Sequence, residues 1–303
     1  MDNGTQIESP GFKSGFIAIV GAPNAGKSTL LNRILGEKLS ITSKKPQTTR
    51  NRILGVLHRP DSQLIFIDTP GVHPARRPLN VRIVETAVAA LGDVDLVLVM
   101  IDTASPDPIS ENHLVTHLNK TRRPAVLALN KIDRVDKSRL LGMIDIWSGS
   151  YPFEALVPIS AKTGEQVDTL IATLQSHLPE GPPFFPDDQI TDLPERFFAA
   201  EMIREKVFRL TGAEIPYATA VTIESFTEDP DRSLTTIHAT IHVERSSQKG
   251  ILIGKHGAKL KQIGTEARHA IEGMLGPRIF LKLFVRVDRN WSRDTKALRR
   301  FGY

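Results

Sequence analysis

Residues 16–28 read FIAIVGAPNAGKS, an apolar run closed by a glycine-bracketed loop. Phe16 to Val20 is short, continuous and partly β-branched, which suits a strand packed on both faces. Ser28 to Leu35 then takes up a helical pattern. The loop Gly21-Ala22-Pro23-Asn24-Ala25-Gly26-Lys27-Ser28 therefore sits between strand and helix and fits G-x-x-x-x-G-K-[ST]. In that setting the glycines let successive backbone N–H groups converge on phosphate oxygens, and the helix N-terminus adds partial positive charge. Lys27 is then expected to reach the β- and γ-phosphates, and the Ser28 hydroxyl to ligate Mg²⁺.

Outward from this loop, buried-looking runs alternate with helical stretches. QLIFID (63–68), DLVLVMID (95–102), AVLALN (125–130) and LVPIS (156–160) read as further strands, with crossovers such as Pro78 to Leu91 between them. This is the pattern of an α/β domain over 15–178, a mostly parallel sheet with helices on both faces. Three strand ends carry chemistry. Asn130-Lys131-Ile132-Asp133 suits guanine, because the Asp133 carboxylate can accept from both N1–H and the 2-amino group, donors that adenine lacks. Ser160-Ala161-Lys162 follows the next strand, where the Ala161 N–H is placed to meet the guanine O6. Asp68-Thr69-Pro70-Gly71 ends another: Asp68 would hold Mg²⁺ through water, and the Gly71 N–H would sense the γ-phosphate. Between the first loop and this one lies Gln47-Thr48-Thr49-Arg50, and one of Thr48 and Thr49 would complete the Mg²⁺ shell.

Around His177 to Asp192, HLPEGPPFFPDDQITD interrupts any period and reads as a Pro-rich linker over 179–193. Beyond it the order changes to helix, strand, strand, helix, helix, strand over 194–303, a smaller α+β domain. In its last strand Ile279, Leu281, Leu283, Val285 and Val287 face one way while Lys282 and Arg286 face the other. From Arg245 to Tyr303 there are 14 Lys and Arg against 4 Asp and Glu, a balance of +10, which leaves −5 for the rest of a chain whose total is +5. A basic C-terminal segment points to a polyanionic partner. With no cysteine, the chain has neither disulfides nor thiolate metal sites. No stretch before Ser14 reads as a secretory signal, and no apolar run reaches membrane-spanning length. No paired carboxylates or nucleophile–base pair stand apart from the nucleotide site, which leaves covalent RNA chemistry without support.

GAPNAGKS, QTTR, DTPG, NKID and SAK, followed by ILIGKHGAKLKQIGTEAR, resemble the Era-type family of bacterial GTPases, in the TrmE-Era-EngA group, whose C-terminal domain is an RNA-binding KH domain of type II. The likeness covers essentially the whole chain. It implies GTP and GDP as ligands, slow Mg²⁺-dependent hydrolysis, and a monomer that binds the 3′ end of 16S rRNA during maturation of the small ribosomal subunit. A cytoplasmic location with a peripheral fraction at the inner membrane is also implied. Val72 stands where Ras-like enzymes carry a water-orienting glutamine. Asn24 matches a loop asparagine that in the related group ligates K⁺, a charge able to substitute for an arginine finger. Lys27, Asn24 and Gly71 are the catalytic candidates on this reading. In a KH domain a GxxG turn clamps about four unpaired nucleotides. The resemblance therefore assigns RNA contacts to Gly254, Lys255, His256 and Gly257, with bases against Ile251 and Ile253. A basic track would continue through Lys259, Lys261 and Arg268 to Lys282 and Arg286. Two rival readings stay open at this stage: an RNA scaffold whose nucleotide site only binds, and a GTPase acting mainly at the membrane surface.

Overall fold

The computed structural model describes residues 11–42, 49–71, 94–212, 215–276 and 278–302. The chain forms two compact units, one reaching through Asp192 and the other beginning at Leu193. The segment Ile41–Asn51 groups with the second unit rather than with the strands that flank it in sequence.

The first unit is built on a six-stranded sheet in the order β2-β3-β1-β4-β5-β6. β1 (Lys13–Gly21), β3 (Ser62–Asp68), β4 (Leu96–Asp102), β5 (Ala125–Asn130) and β6 (Ala155–Ile159) run parallel. β2 (Ile53–Arg59) is an antiparallel edge that the sequence reading missed; its internal Gly55 weakens the strand signal. Gly55 is needed there, because a Cβ would lie 2.4 Å from Leu35 Cδ1. The described helices are α1 (Lys27–Leu35), α2 (Pro108–Thr121), α3 (Lys137–Ser148) and α4 (Val167–Ser176). The helix expected over Pro78 to Leu91, like Thr48 and Val72, lies outside the described residues. β1 lies between β3 and β4, and strands reached in opposite directions from β1 open a crevice at its C-terminal end. That crevice is where the GAPNAGKS loop falls.

The second unit follows the expected order: α5 (Glu195–Leu210), β7 (Ala220–Asp229), β8 (Leu234–Val243), α6 (Ser246–Ile253), α7 (Ala258–Leu275) and β9 (Arg278–Val287). β7 and β8 are antiparallel, and β9 adds parallel to β8 as an edge. Ile203 and Val207 of α5 and Ile263, Ala267 and Ile271 of α7 bury against Ile237, Ile241 and Ile279, so the helices cover one face of the sheet. A short helix not foreseen, α8 (Thr295–Arg300), turns Ala297 and Leu298 onto Trp291 and Ala220.

The Pro-rich stretch is not a free linker. Buried Gln63 accepts hydrogen bonds from the Phe184 and Phe185 amides at 2.7 and 2.9 Å and donates to Phe185 O at 2.7 Å. Val56 N donates to Ile190 O, and Thr191 Oγ1 donates to Leu54 O. Proline removes backbone donors but leaves carbonyls and neighbouring amides able to pair, which composition does not reveal. Gln63→Ala is expected to destabilise this attachment by about 1–3 kcal/mol through unsatisfied backbone groups. Chymotrypsin cleavage after Phe184 under native conditions should then quicken; unchanged cleavage would show that the other contacts suffice.

Candidate nucleotide site and RNA interface

The phosphate loop is held from beneath by the strand ends. Gly26 has φ 104, and a Cβ on it would stand 2.2 Å from Asn130 Nδ2. That amide donates to Ala25 O at 2.7 Å, so the guanine-side residue fixes the phosphate loop. Lys131, itself left-handed at φ 72, donates to Asn24 O at 2.8 Å and to the Asp102 carboxylate. Asp102 is a participant the sequence reading missed; it also caps the Ala104 and Ser105 amides.

Lys27 is buried, and its ammonium donates to Gly21 O and Ala22 O at 3.1 and 3.0 Å. Burial pulls its pKa down to about 8 against the opposing attraction of Asp68. Asp68 is likewise buried, and burial pushes its carboxyl above the ordinary range, against the pull of Lys27 and two hydroxyls. Those hydroxyls, Ser28 Oγ and the unforeseen Ser40 Oγ, both donate to Asp68 Oδ2 at 2.7 Å. Ser40 is fixed in turn by a reciprocal pair of bonds with Asn32. The buried Oδ1 of Asp68 accepts no hydrogen bond among the described residues. An orphaned carboxylate oxygen beside a serine hydroxyl fits a hard divalent cation, with Ser28 and Asp68 to hold Mg²⁺. Among the described residues there is no cluster of His, Asp and Glu able to hold another metal.

Several expectations change in detail. Thr69 turns its hydroxyl to Ile19 O at 2.7 Å, so its side chain serves the strand end rather than a nucleotide. Gly71 lies against the loop, where a Cβ would come 2.9 Å from Pro23. Asp133 is exposed rather than buried, held by Ser160 Oγ at 2.7 Å; only a bound base would desolvate it. The Ala161 N–H already donates to Asn130 Oδ1 at 2.9 Å, and the neighbouring Lys162 N–H has no acceptor among the described residues. Arg33 ties α1 to this strand end through Ala161 O and Lys162 O. Thr49 and Arg50 are both buried, and Arg50 donates to Pro216 O and Thr219 O of the second unit at 2.8 Å each.

In the second unit the GKHG turn lies between α6 and α7. Gly254 sits at φ 70, ψ 177, and a Cβ there would meet Lys259 Cβ at 2.7 Å. His256 and Gly257 are left-handed at φ 51 and 79, and Lys255 and His256 are exposed. α7 starts directly behind the turn with no acid in its first turn, so its N-terminal amides face the same side as the turn's cations. Ile251 is exposed and Ile253 half-buried, as an apolar groove needs. The basic track does not run as expected. Lys259 and Lys261 are two apart on a helix and face different sides. Lys259 lines up with Gln262 and Glu266, while Arg268 pairs with Glu272 at 3.2 Å. Lys282 and Arg286 project from the sheet face opposite α7, because Leu281 and Leu283 of β9 face the helices.

Comparison with known proteins identifies both domains. Residues 16–131 match the family described as 50S ribosome-binding GTPase, and residues 214–292 match the KH domain family. The chain is 53% identical over 292 residues to GTPase Era of Geobacter metallireducens, covering 96% of this chain and 98% of that one. It is 51% identical to GTPase Era of Geotalea uraniireducens over the same shares. Among solved structures it superposes with TM-score 0.92 at 41% identity on a single-residue variant of Aquifex aeolicus Era bound to GDP·AlF₄⁻, covering 96% of this chain and 99% of that one. The same figures hold for Era in complex with MgGDPNP and nucleotides 1506–1542 of 16S ribosomal RNA.

The buried ammonium gives a pH test. A phosphate needs Lys27 charged, whereas the free protein releases that proton above about pH 8. GDP binding at about pH 9 should therefore take up a proton, seen as a buffer-dependent enthalpy in calorimetry, with affinity falling about tenfold per pH unit above that point. The free fold should gain stability between about 8 and the ordinary 10.5, since the unfolded chain then holds the proton that the native state has lost. Lys27→Met should abolish the uptake; uptake surviving in that variant would assign it elsewhere.

Proposed function

The chain belongs to the Era family of GTPases and hydrolyses GTP, and on that footing we propose that it is a nucleotide switch binding the 3′ region of 16S rRNA during small-subunit assembly. The observation that carries this reading is the GKHG turn, left-handed and cationic in a KH domain, in a chain that superposes on a relative in complex with 16S RNA. The 16S molecule is the small-subunit RNA, which favours that subunit over the 50S of the broader family description. Guanine is read by Asp133 with the Lys162 amide, phosphates by the loop amides and Lys27, and the γ-phosphate by the Gly71 N–H. Mg²⁺ held by Ser28 and Asp68 neutralises charge on the β- and γ-oxygens when bound. Thr49 is buried beside Arg50 in the second unit, which leaves Thr48 as the threonine for the metal in the triphosphate state.

RNA is favoured over lipid as the polyanion. α8 is six residues long and its apolar side already lies on Trp291 and Ala220, which leaves only Lys296, Arg299 and Arg300 to meet a bilayer. No helix of the described residues is long and apolar enough to cross a membrane. We read the protein as a cytoplasmic monomer.

Coupling between nucleotide and RNA runs through the segment that carries both Thr48 and Arg50, since a residue two positions from the metal ligand is buried against the start of β7. RNA is expected to bind about tenfold tighter with a non-hydrolysable GTP analogue than with GDP, a coupling of ordinary allosteric size. Fluorescence anisotropy with a labelled 16S 3′-end RNA measures it. Lys255→Asp/His256→Asp should abolish binding in both states, whereas Arg50→Ala should remove only the difference between them; equal affinities in the wild type would remove the coupling.

Asn24 is exposed and left-handed at φ 64, and its side chain bonds nothing among the described residues. It is free to ligate a cation beside the phosphates. Turnover should be at least about tenfold faster in K⁺ than in Na⁺, and Asn24→Ala should level the two. Equal rates in the wild type would end the assignment.

A further inference from the structure

The outer face of β9 carries a pattern the nucleotide switch does not use. Phe280 is 55% exposed and Phe284 46% exposed, on the strand face turned away from the helices. Arg278, Lys282 and Arg286 alternate with them on that same face. Among the described residues Phe184 is the other strongly exposed phenylalanine, and it leans on Phe16 with ring centroids 5.1 Å apart. Phe280 and Phe284 have no ring neighbour among the described residues, but Lys282 Nζ stands 5.2 Å from the Phe284 centroid. The register places Thr236, His238 and Thr240 of β8 beside Phe280, Lys282 and Phe284, a floor of short polar side chains. Arg286 is partly neutralised by Asp288, which also meets Arg300 and His242, so Arg278 and Lys282 are the cations of this face without an acidic partner among the described residues. Glu224, bonded to Thr222 on β7, sets an acid at the far side of this face from β9.

Flat rings separated by cations on an open sheet are what unpaired bases stack on, with the phosphates drawn to the cations between. The two rings are about 13 Å apart along the strand, too far for adjacent stacked bases and suited to bases with intervening nucleotide between them. A second copy of the chain would bring like charges together along this edge, so a polyanion fits better. We propose that the outer face of β9 is a second RNA-binding surface, on which Phe280 and Phe284 stack unpaired bases while Lys282 and Arg278 hold phosphates. This rests on the RNA reading above and extends it: nucleotides 1506 through 1542 make 37, far more than the four or so that a GxxG turn clamps.

The test compares two labelled RNAs by anisotropy with the full chain: a single strand of about 8 nucleotides from the 3′ end, and the segment 1506–1542 of 16S RNA. Phe280→Thr/Phe284→Thr keeps strand-forming residues at exposed positions, and its melting curve should match the wild type. Its affinity for the long RNA should fall about tenfold or more while affinity for the short one holds. Photocrosslinking from 4-thiouridine in the long RNA should label the peptide containing Phe280 to Phe284 in the wild type. Unchanged affinity for the long RNA overturns the proposal, as does a wild-type dimer in sedimentation that the variant loses. If Lys255→Asp/His256→Asp binds both RNAs normally, the KH reading itself fails; if it loses the short RNA while the phenylalanine variant keeps it, the two surfaces are separate.

Discussion

Two opposite charges buried at the end of β1 without contacting each other set the character of the first unit. Lys27 and Asp68 each lose more from desolvation than they recover from mutual attraction, as the directions of both shifts record. A buried charge is tolerated only when hydrogen-bonded or compensated. Lys27 is compensated by two loop carbonyls and Asp68 by two serine hydroxyls, and one carboxylate oxygen is left over. A nucleotide phosphate and a divalent cation supply what each lacks. The site is thus shaped so that ligand charge completes a network the protein leaves open, and the whole arrangement of strand ends serves to hold that opening in place.

The second unit grips phosphate with the same economy of means but different chemistry. Gly254 adopts a backbone conformation reserved for residues without a side chain, and the space its Cβ would need is taken by Lys259. Positive charge comes from exposed Lys255 and from the start of α7, with the exposed His256 ring beside them, none of them desolvated. A deeply buried lysine ties the front site to ligand charge, whereas exposed Lys255 leaves the rear site open to screening by salt.

What the sequence revealed follows from how local each feature is. The phosphate loop, the guanine tetrapeptide and the GKHG turn are contiguous, so strand, glycine spacing and helix identify them together. Ser40, Asp102, Arg33 and Gln63 are functional or structural through partners 28, 29, 128 and 122 residues away, and no spacing rule carries that information. The basic track failed for a geometric reason: periods of 3.6 and 2 scatter nearby cations to different faces, which a count of charge does not register. The Pro-rich stretch shows that proline suppresses periodicity without preventing attachment, here through buried Gln63 and the hydrogen bonds at Ile190 and Thr191.

Arg50 shows why a switch segment can report at a distance. Its guanidinium is buried, gives two hydrogen bonds to backbone carbonyls at the start of β7, and lies 5.8 Å from the Phe208 ring centroid. Leaving those carbonyls unpaired would cost about 1–3 kcal/mol each, comparable to the roughly 1–3 kcal/mol of an allosteric coupling. The next residue but one toward the N-terminus, Thr48, is the metal-ligand candidate, and a chain of two residues spans at most about 7 Å. A segment so short cannot satisfy a moving metal ligand and a fixed anchor independently. A displacement of Thr48 toward a bound metal would therefore be felt at this anchor, which is the physical basis of the coupling proposed above.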